Sequence, residues 1–450
     1  MSFPRFWRFL SSLLLCLTMA SALAQDVTLR WAMHPGSHNT PVIEHFVPLY
    51  EELTGVRVEV ELLPPDQVRE RMQIEAIGGT GYYDIGYHSP GWFGGFADHV
   101  VDLTPFIEAH GFDVSQYPDL IIESHMTSPL RPGEIIALPH TPFAPMLIYR
   151  RDFFEHADEQ AAFEAEYGRA LTPPETWQEL YEVASFFTRD AGESVAGQTL
   201  EQSLYGWADA MRHPSGSARA FIVLLYSTGL RGFDDAFEPD IDHPVLLEAA
   251  DFFLDLTRNT APPGVVNWDF LEHLELFRTG QLAMATMWPA GIDTVEDPSG
   301  AAAGNVGYQP LPRWEGNLAD FPQGVPFLGG GGLMVFDTPN AEESFKFLQW
   351  LLEENEIEWA RRTQAFSRAN HFTDPELLAE RDYYASFLPA FQQVLEHVFV
   401  RQGIPEFGSV MWDGTADFWT DVFSGDLSPE QAQQRWVNDM RRQFERAGYY

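Results

Sequence analysis

Residues 27–87 alternate between two hydrophobic periods, and this limits the possible folds more than any other feature of the chain. Residues 27–33 (VTLRWAM) alternate like a strand. Residues 42–53 have helical spacing through Ile43, Phe46, Val47, Tyr50 and Leu53, and Gly55 can stop that helix. Residues 56–62 (VRVEVEL) alternate again, 67–77 are amphipathic, and 83–87 (YDIGY) make a third short strand. A β-α-β-α-β order predicts a parallel sheet with helices on its faces, because parallel neighbours need a crossover. Ligands of such sheets sit outside the carboxyl ends of the strands. The loops at 34–39 and 88–92 lie there.

The remaining pattern is also mixed α/β. Strands are expected at 135–139, 146–149, 282–287, 306–311 and 332–336. Helices are expected at 174–188, 218–226, 244–257, 272–279 and 341–353, with a largely helical end. Hydrophobic residues make up 45% and aromatics 14%, enough to fill a large core, which excludes a disordered chain.

Charge excludes further classes. With 27 Lys+Arg against 66 Asp+Glu the formal net charge is −39. Such a chain repels a phosphate backbone and an anionic membrane surface, so no nucleic-acid partner is expected. Lys346 is the single lysine, on a helical pattern. The run Gly78-Gly79-Thr80-Gly81 therefore cannot be a phosphate-binding loop, which needs a following lysine. A strongly acidic surface suits a salty medium, where self-repulsion is screened.

The first 24 residues read as a cleavable secretory leader: Arg5 and Arg8, an apolar run over 9–19, then Ala22-Leu23-Ala24. The only cysteine, Cys16, lies inside it. The exported remainder has no disulfide and must be held by its core. The expected location is the periplasm.

The order of these segments resembles the family 1 extracellular solute-binding proteins of ABC importers, the group that contains maltose-binding protein. The matching pieces are LTGVRVEVELLP (53–64), YDIGY (83–87), VDLTPFIE (101–108), IIALPHTPFAPMLIYRRDFFEHA (135–157) and PPETWQELYEVA (173–184). LFRTGQLAMATMWPAG (276–291), VGYQPLP (306–312), GGGGLMVF (329–336) and NAEESFKFLQWLL (340–352) follow. The resemblance implies a two-lobed periplasmic-binding-protein fold. Each lobe would be a mainly parallel sheet flanked by helices, with the ligand cleft between the lobes. Crossings are expected at 137–149, at 286–291 and after Phe336. The lobes would comprise 25–140 plus 290–338, and 141–289 plus 339–450. The implied role is capture of a carbohydrate or polyol by hinge closure and delivery to membrane permease subunits, as a monomer without cofactor or metal.

Candidate solute contacts combine position with residue type. Aromatic faces stack on sugar rings, and hydroxyls are read by His, Asn, Arg and acids. The resemblance places Trp92, Trp288 and Trp412 near the site, with Trp268 as a further candidate; core packing is the alternative for each. His34, Ser37, His38 and Asn39 follow the first strand, and His88 and Ser89 the third. His140, Thr141 and Phe143 lie in the first crossing. Arg212 is a candidate polar contact, and the resemblance implies that Arg368 and Asn370 lie in a late loop that reaches the cleft. Gly330 and Gly331, within 329–332, let backbone approach either the cleft or a neighbouring strand. His34 and His38 are four apart, a metal-ligand spacing only on a helix, and Pro35-Gly36 argues against one. Another organic solute, such as a glycerol phosphodiester or an osmolyte, is the runner-up. A secreted glycosidase is the competing class, but no Gly-x-Ser-x-Gly or His-Glu-x-x-His motif is present.

Overall fold

The computed structural model describes residues 27–36, 38–89, 93–400 and 403–450. The expected leader with Cys16, and the candidate contacts Ser37 and Trp92, lie outside the described residues. In chain order the strands are β1 Thr28–Met33, β2 Arg57–Leu62, β3 Ile85–His88, β4 Leu138–Phe143, β5 Met146–Arg150, β6 Ser194–Val195, β7 Gln198–Thr199, β8 Tyr205–Ala208, β9 Leu282–Met287, β10 Val306–Gln309 and β11 Gly329–Val335. They form one sheet in the order β2-β1-β3-β11-β4, a second in the order β10-β5-β9-β8, and the pair β6-β7.

The opening unit folds as its periods require. β1 and β2 run parallel from Thr28↔Arg57 to Met33↔Leu62, and Trp31 of β1 pairs in parallel with Ile85 of β3. Between β1 and β2 the helix Val47–Thr54 ends on Gly55 at φ 78°, whose N–H donates to Glu51 O. Helix Pro65–Gly78 makes the second crossover. Trp31, Met33, Val42 and Phe46 are fully buried beneath them. Further along, Thr176 accepts from the Glu179 N–H while the Glu179 side chain returns to the Thr176 backbone, a capping box that starts the helix Trp177–Phe187.

Both sheets are mixed rather than mainly parallel. β11 runs antiparallel to β3 and to β4, and β5 runs antiparallel to β9 and β10; only β8–β9 is parallel in the second sheet. The cause is the crossings. A strand arriving from the other sheet is not tied to its new neighbours by a βαβ crossover, the connection that makes strands parallel, so it is free to enter antiparallel.

The crossings also refine the expected plan. β4 passes through Ala144 and Pro145 straight into β5, inside the expected first crossing. No crossing occurs at 286–291, because β10 lies beyond it and pairs with β5 in the second sheet. The chain returns to the first sheet only between Gln309 and Gly329. Helix Ala341–Gln349 then packs on β11, and helix Tyr384–Leu395 packs on β10, so the third crossing lies between them. Residues 306–309 therefore go with the second sheet and 341–349 with the first, unlike the expected spans. Helices Gly414–Ser424 and Pro429–Ala447 complete the helical layer over Ser215–Ser227 and Pro244–Thr260. Among the described residues no helix is long and apolar enough to cross a membrane.

Candidate functional site

The two sheets meet where β11 begins. Trp288 directly follows β9 of the second sheet, and a Cβ on Gly329 of the first sheet would stand 2.7 Å from its ring. Phe327, just before β11, packs on Trp288 (ring centroids 5.1 Å apart, 58° between planes) and edge-on to Trp412 (5.6 Å, 87°). Trp288 and Trp412 are half-buried. On the other side of Gly329, its β4 partner is Phe143, and Phe143 meets His38 at 5.6 Å. An aromatic seam thus runs from the second sheet to the loop after β1.

The glycine run makes this seam narrow. Gly330 has φ 75°, and a Cβ there would fall on Thr141 O of β4. A Cβ on Gly331 would fall on His88 O and the Tyr87 ring, and one on Gly332 on the His88 ring. The β4–β11 register shifts between Gly331 and Gly332. The run serves close approach of strands, one of the two roles expected for it.

The carboxyl ends of β1 and β3 and the middle of β4 gather the histidines. His34 and His38 meet edge to face at 5.1 Å, His38 and His140 at 6.2 Å, and His34 and Tyr87 at 5.2 Å. Trp31, Tyr87 and Trp359 enclose the His140 ring at 6.2, 5.9 and 5.3 Å. His140 Nδ1 lies 3.1 Å from the Thr141 hydroxyl. Asn39 donates to His34 O at 2.7 Å. His88 Nε2 is 3.2 Å from His125 O, and His125 Nε2 is 3.0 Å from Gly329 O, which ties this cluster to the seam. Ser89 follows His88 and is buried.

Burial is the main cause of the unusual basicity here. It pulls His140 and His88 down to about 3, and a neighbouring imidazole adds to the effect in each case. His38 is pushed well below its ordinary value by burial and by His34 and His140; His34 is lowered by burial. All four are neutral at pH 7, each offering one donor and one acceptor.

The second sheet contributes a residue that sequence reasoning missed. Ala208 of β8 lies opposite Ala285 of β9, so Asp209 falls beside Thr286, two residues before Trp288. Asp209 is 3% exposed. Its carboxylate accepts the Ala210 N–H at 2.6 Å. Burial raises it to about 7, against the opposing pull of the Ala210 N–H, Arg219 and Thr286. The signal available was position: an acid at the carboxyl end of the strand YGWA.

That raised value has a signed consequence. The folded state holds a proton on Asp209 that the unfolded chain, with a carboxyl near 3.9, has lost above about pH 4. Its contribution to stability is full below that value and is lost as pH rises through about 7. The stability difference between the native protein and Asp209→Asn is therefore expected to change between pH 4 and 7, by at most about 1.4 kcal/mol per pH unit. Urea unfolding at several pH values checks this; a constant difference would mean a carboxyl with ordinary acidity.

The remaining candidates are placed elsewhere or are engaged within the protein. Arg368 is buried and gives its guanidinium to Glu356 (2.6 Å), Leu352 O (2.6 Å) and Tyr117 Oη (3.3 Å). Asn370 donates to the same Glu356 at 3.1 Å. Arg212 is exposed and pairs with Asp269, which also binds Arg219 at 3.3 Å. The Trp268 carbonyl accepts the N–H groups of Met211 and Arg212 at 3.2 and 2.9 Å, so Trp268 packs beside Arg212. The hydrogen bonds and ion pairs of these four lie apart from the histidine cluster and the seam. Among the described residues no group of three or more His, Cys, Asp or Glu could hold a metal ion.

Residues 36–356 match the sequence profile described as bacterial extracellular solute-binding protein. The chain belongs to this family. A mannitol-binding protein of Pseudomonas aeruginosa is 24% identical over 338 residues, covering 70% of this chain and 71% of its own. A probable amino-acid ABC transporter periplasmic-binding protein of Sinorhizobium fredii is 21% identical, covering 76% and 73%. Among solved structures, the solute-binding protein of an Agrobacterium radiobacter ABC transporter, in complex with ribitol, superposes with a TM-score of 0.78 at 23% identity, covering 93% of this chain and 99% of its own. A solute-binding protein of Agrobacterium vitis with bound D-mannitol gives 0.74 at 18%, covering 94% and 99%. These likenesses show that this solute-binding protein has the two-lobed fold. Its family and solved relatives are binding proteins rather than enzymes.

Proposed function

We propose that this solute-binding protein captures a carbohydrate or polyol between two lobes and delivers it to the permease of an ABC importer. The observation that carries the reading is the seam at Gly329. There Trp288 of the second sheet, the first residue of β11 and the Phe143–His38 contact converge, with half-buried aromatic faces beside neutral hydrogen-bonding groups. That composition matches a molecule with C–H faces and hydroxyls. The first lobe would comprise the β1–β4 segment, β11 and the helices Ala341–Gln349 and Glu356–Thr363, the latter packing Trp359 on His140, and the second the β5–β10 segment with the helices from Tyr384 onward. Closure about the strand crossings would couple occupancy to shape, which a permease can read. No chemical step is required. The protein would act in the periplasm, as a monomer docking on membrane subunits.

A relative whose name specifies an amino acid supports a second reading. An amino acid needs partners for both its charges, so a single panel separates the two. Thermal unfolding is measured with sugars, polyols, amino acids, sugar acids and sugar phosphates. A ligand at 100 times its Kd stabilises by about 2.7 kcal/mol, which is about 5–10 °C for lobes of this size. Hits confined to sugars or polyols are expected. Hits confined to amino acids would replace the reading, and turnover of a glycan would overturn the binding-only role.

A further inference from the structure

We propose that the histidine cluster of the first sheet makes this site selective for uncharged solutes, with the imidazoles of His38 and His140 and the amide of Asn39 reading hydroxyl groups. This rests on the proposed capture of a carbohydrate or polyol and narrows it.

The cluster has polar atoms and no charge. Among the described residues, His140 Nε2, His38 Nδ1 and Asn39 Oδ1 are buried and find no hydrogen-bond partner. His38 is 9% exposed, Asn39 1% and His140 0%. Buried polar groups normally find partners, so these atoms are set aside for something that enters. Around them stand the rings of Trp31, Tyr87, Phe143 and Trp359, which supply no charge.

The titratable neighbours come from every packed element. The loop after β1 gives His34 and His38, β3 gives Tyr87 and His88, the turn Ile122–Met126 gives His125, and β4 gives His140. Helix Glu356–Thr363 presents Trp359, while its acids are engaged: Glu356 with Arg368, and Glu358 with Arg361 and Arg362. Among the described residues no ion pair joins His34, His38 or His140 to an acid.

An unpaired charge in such a place is costly. A cationic solute finds no carboxylate in the cluster. An anionic solute finds counter-charge only if buried imidazoles take up protons, which both burial and their mutual repulsion oppose. A hydroxyl needs one donor and one acceptor, and neutral imidazole offers both.

The test is titration calorimetry of the purified protein at pH 7.5 and 5.5 with matched pairs. These are D-mannitol and mannitol 1-phosphate, ribitol and ribitol 5-phosphate, and D-glucose with glucosamine and glucuronate. In any set that binds, the neutral member should bind at least 100-fold more tightly than its charged partner at pH 7.5. A charged member within tenfold of the neutral one would overturn the inference. So would a phosphate that binds more tightly at pH 5.5, since the cluster would then be an anion receptor. If no sugar or polyol binds, in these sets or in the wider thermal-unfolding panel, the carbohydrate-or-polyol reading fails, and this one with it. His38→Gln and His140→Gln, checked for folding by circular dichroism, should each weaken the neutral solute about tenfold while keeping the charge discrimination. Unchanged affinity in both would remove the hydroxyl-reading role.

Discussion

Gly330→Val is expected to disrupt the first sheet and leave the protein largely unfolded or aggregated on expression. Gly330 sits at φ 75°, which a β-branched residue occupies only with strain, and its Cβ would fall on Thr141 O of the adjacent strand. The carbonyl cannot move aside, because β4 pairs with β11 on both sides of that point, from Gly329↔Phe143 to Leu333↔Leu138. Strain and lost pairing together should cost more than about 4 kcal/mol, the upper end of single-substitution effects. At about 2–4 °C per kcal/mol this lowers the melting temperature by about 10 °C or more. Calorimetry of the native protein, Gly330→Ala and Gly330→Val checks it. A melting point within about 2 °C of native for both variants would show that β11 yields at this position.

Trp288→Ala is expected to cost the largest share of solute affinity while leaving the fold intact. Trp288 is half-buried, so truncation removes less core than a fully enclosed tryptophan such as Trp207 or Trp177 would. It is nevertheless the residue that carries the second sheet onto Gly329, and Phe327 and Trp412 follow it. Loss of a stacking face and of its apolar burial is worth about 2–3 kcal/mol, a 30–150-fold rise in Kd. Calorimetric titration with whichever sugar or polyol stabilises the native protein measures this. An affinity within threefold of native would assign Trp288 to packing between the sheets. Trp268→Ala is the internal contrast, because Trp268 stands by Arg212 and not in the seam.

These two residues differ in how far their sequence context revealed them. Trp288 follows a clear strand and precedes a proline, so its place at a strand's carboxyl end was legible. The glycine run was legible as a close approach, but whether to a cleft or to another strand was not. The answer lay in His88, Thr141 and Tyr87, residues 189 or more positions away. Arg368 shows a different limit: the family resemblance marked it as a candidate contact, and only the structure shows that Glu356, Leu352 O and Tyr117 take up its guanidinium. Asp209 went unread because its one signal, a place just after the short run YGWA, does not single it out among 66 acids until its burial is known.

Local sequence by itself determined the elements whose causes are local. Hydrophobic period set β1, β2 and β3 and the helices between them. Gly55 ended one helix, Thr176 with Glu179 began another, and the order of segments identified the family. These depend on interactions within a few residues, where period and capping act directly. Tertiary structure alone decided which sheet received β10, where the chain crossed back, and that β11 entered antiparallel between β3 and β4. It also decided which polar groups are engaged by one another and which buried atoms, such as His38 Nδ1, Asn39 Oδ1 and His140 Nε2, find no hydrogen-bond partner among the described residues. Edges, burial and hydrogen-bond satisfaction are properties of chain segments brought together over hundreds of residues, and no local pattern encodes them.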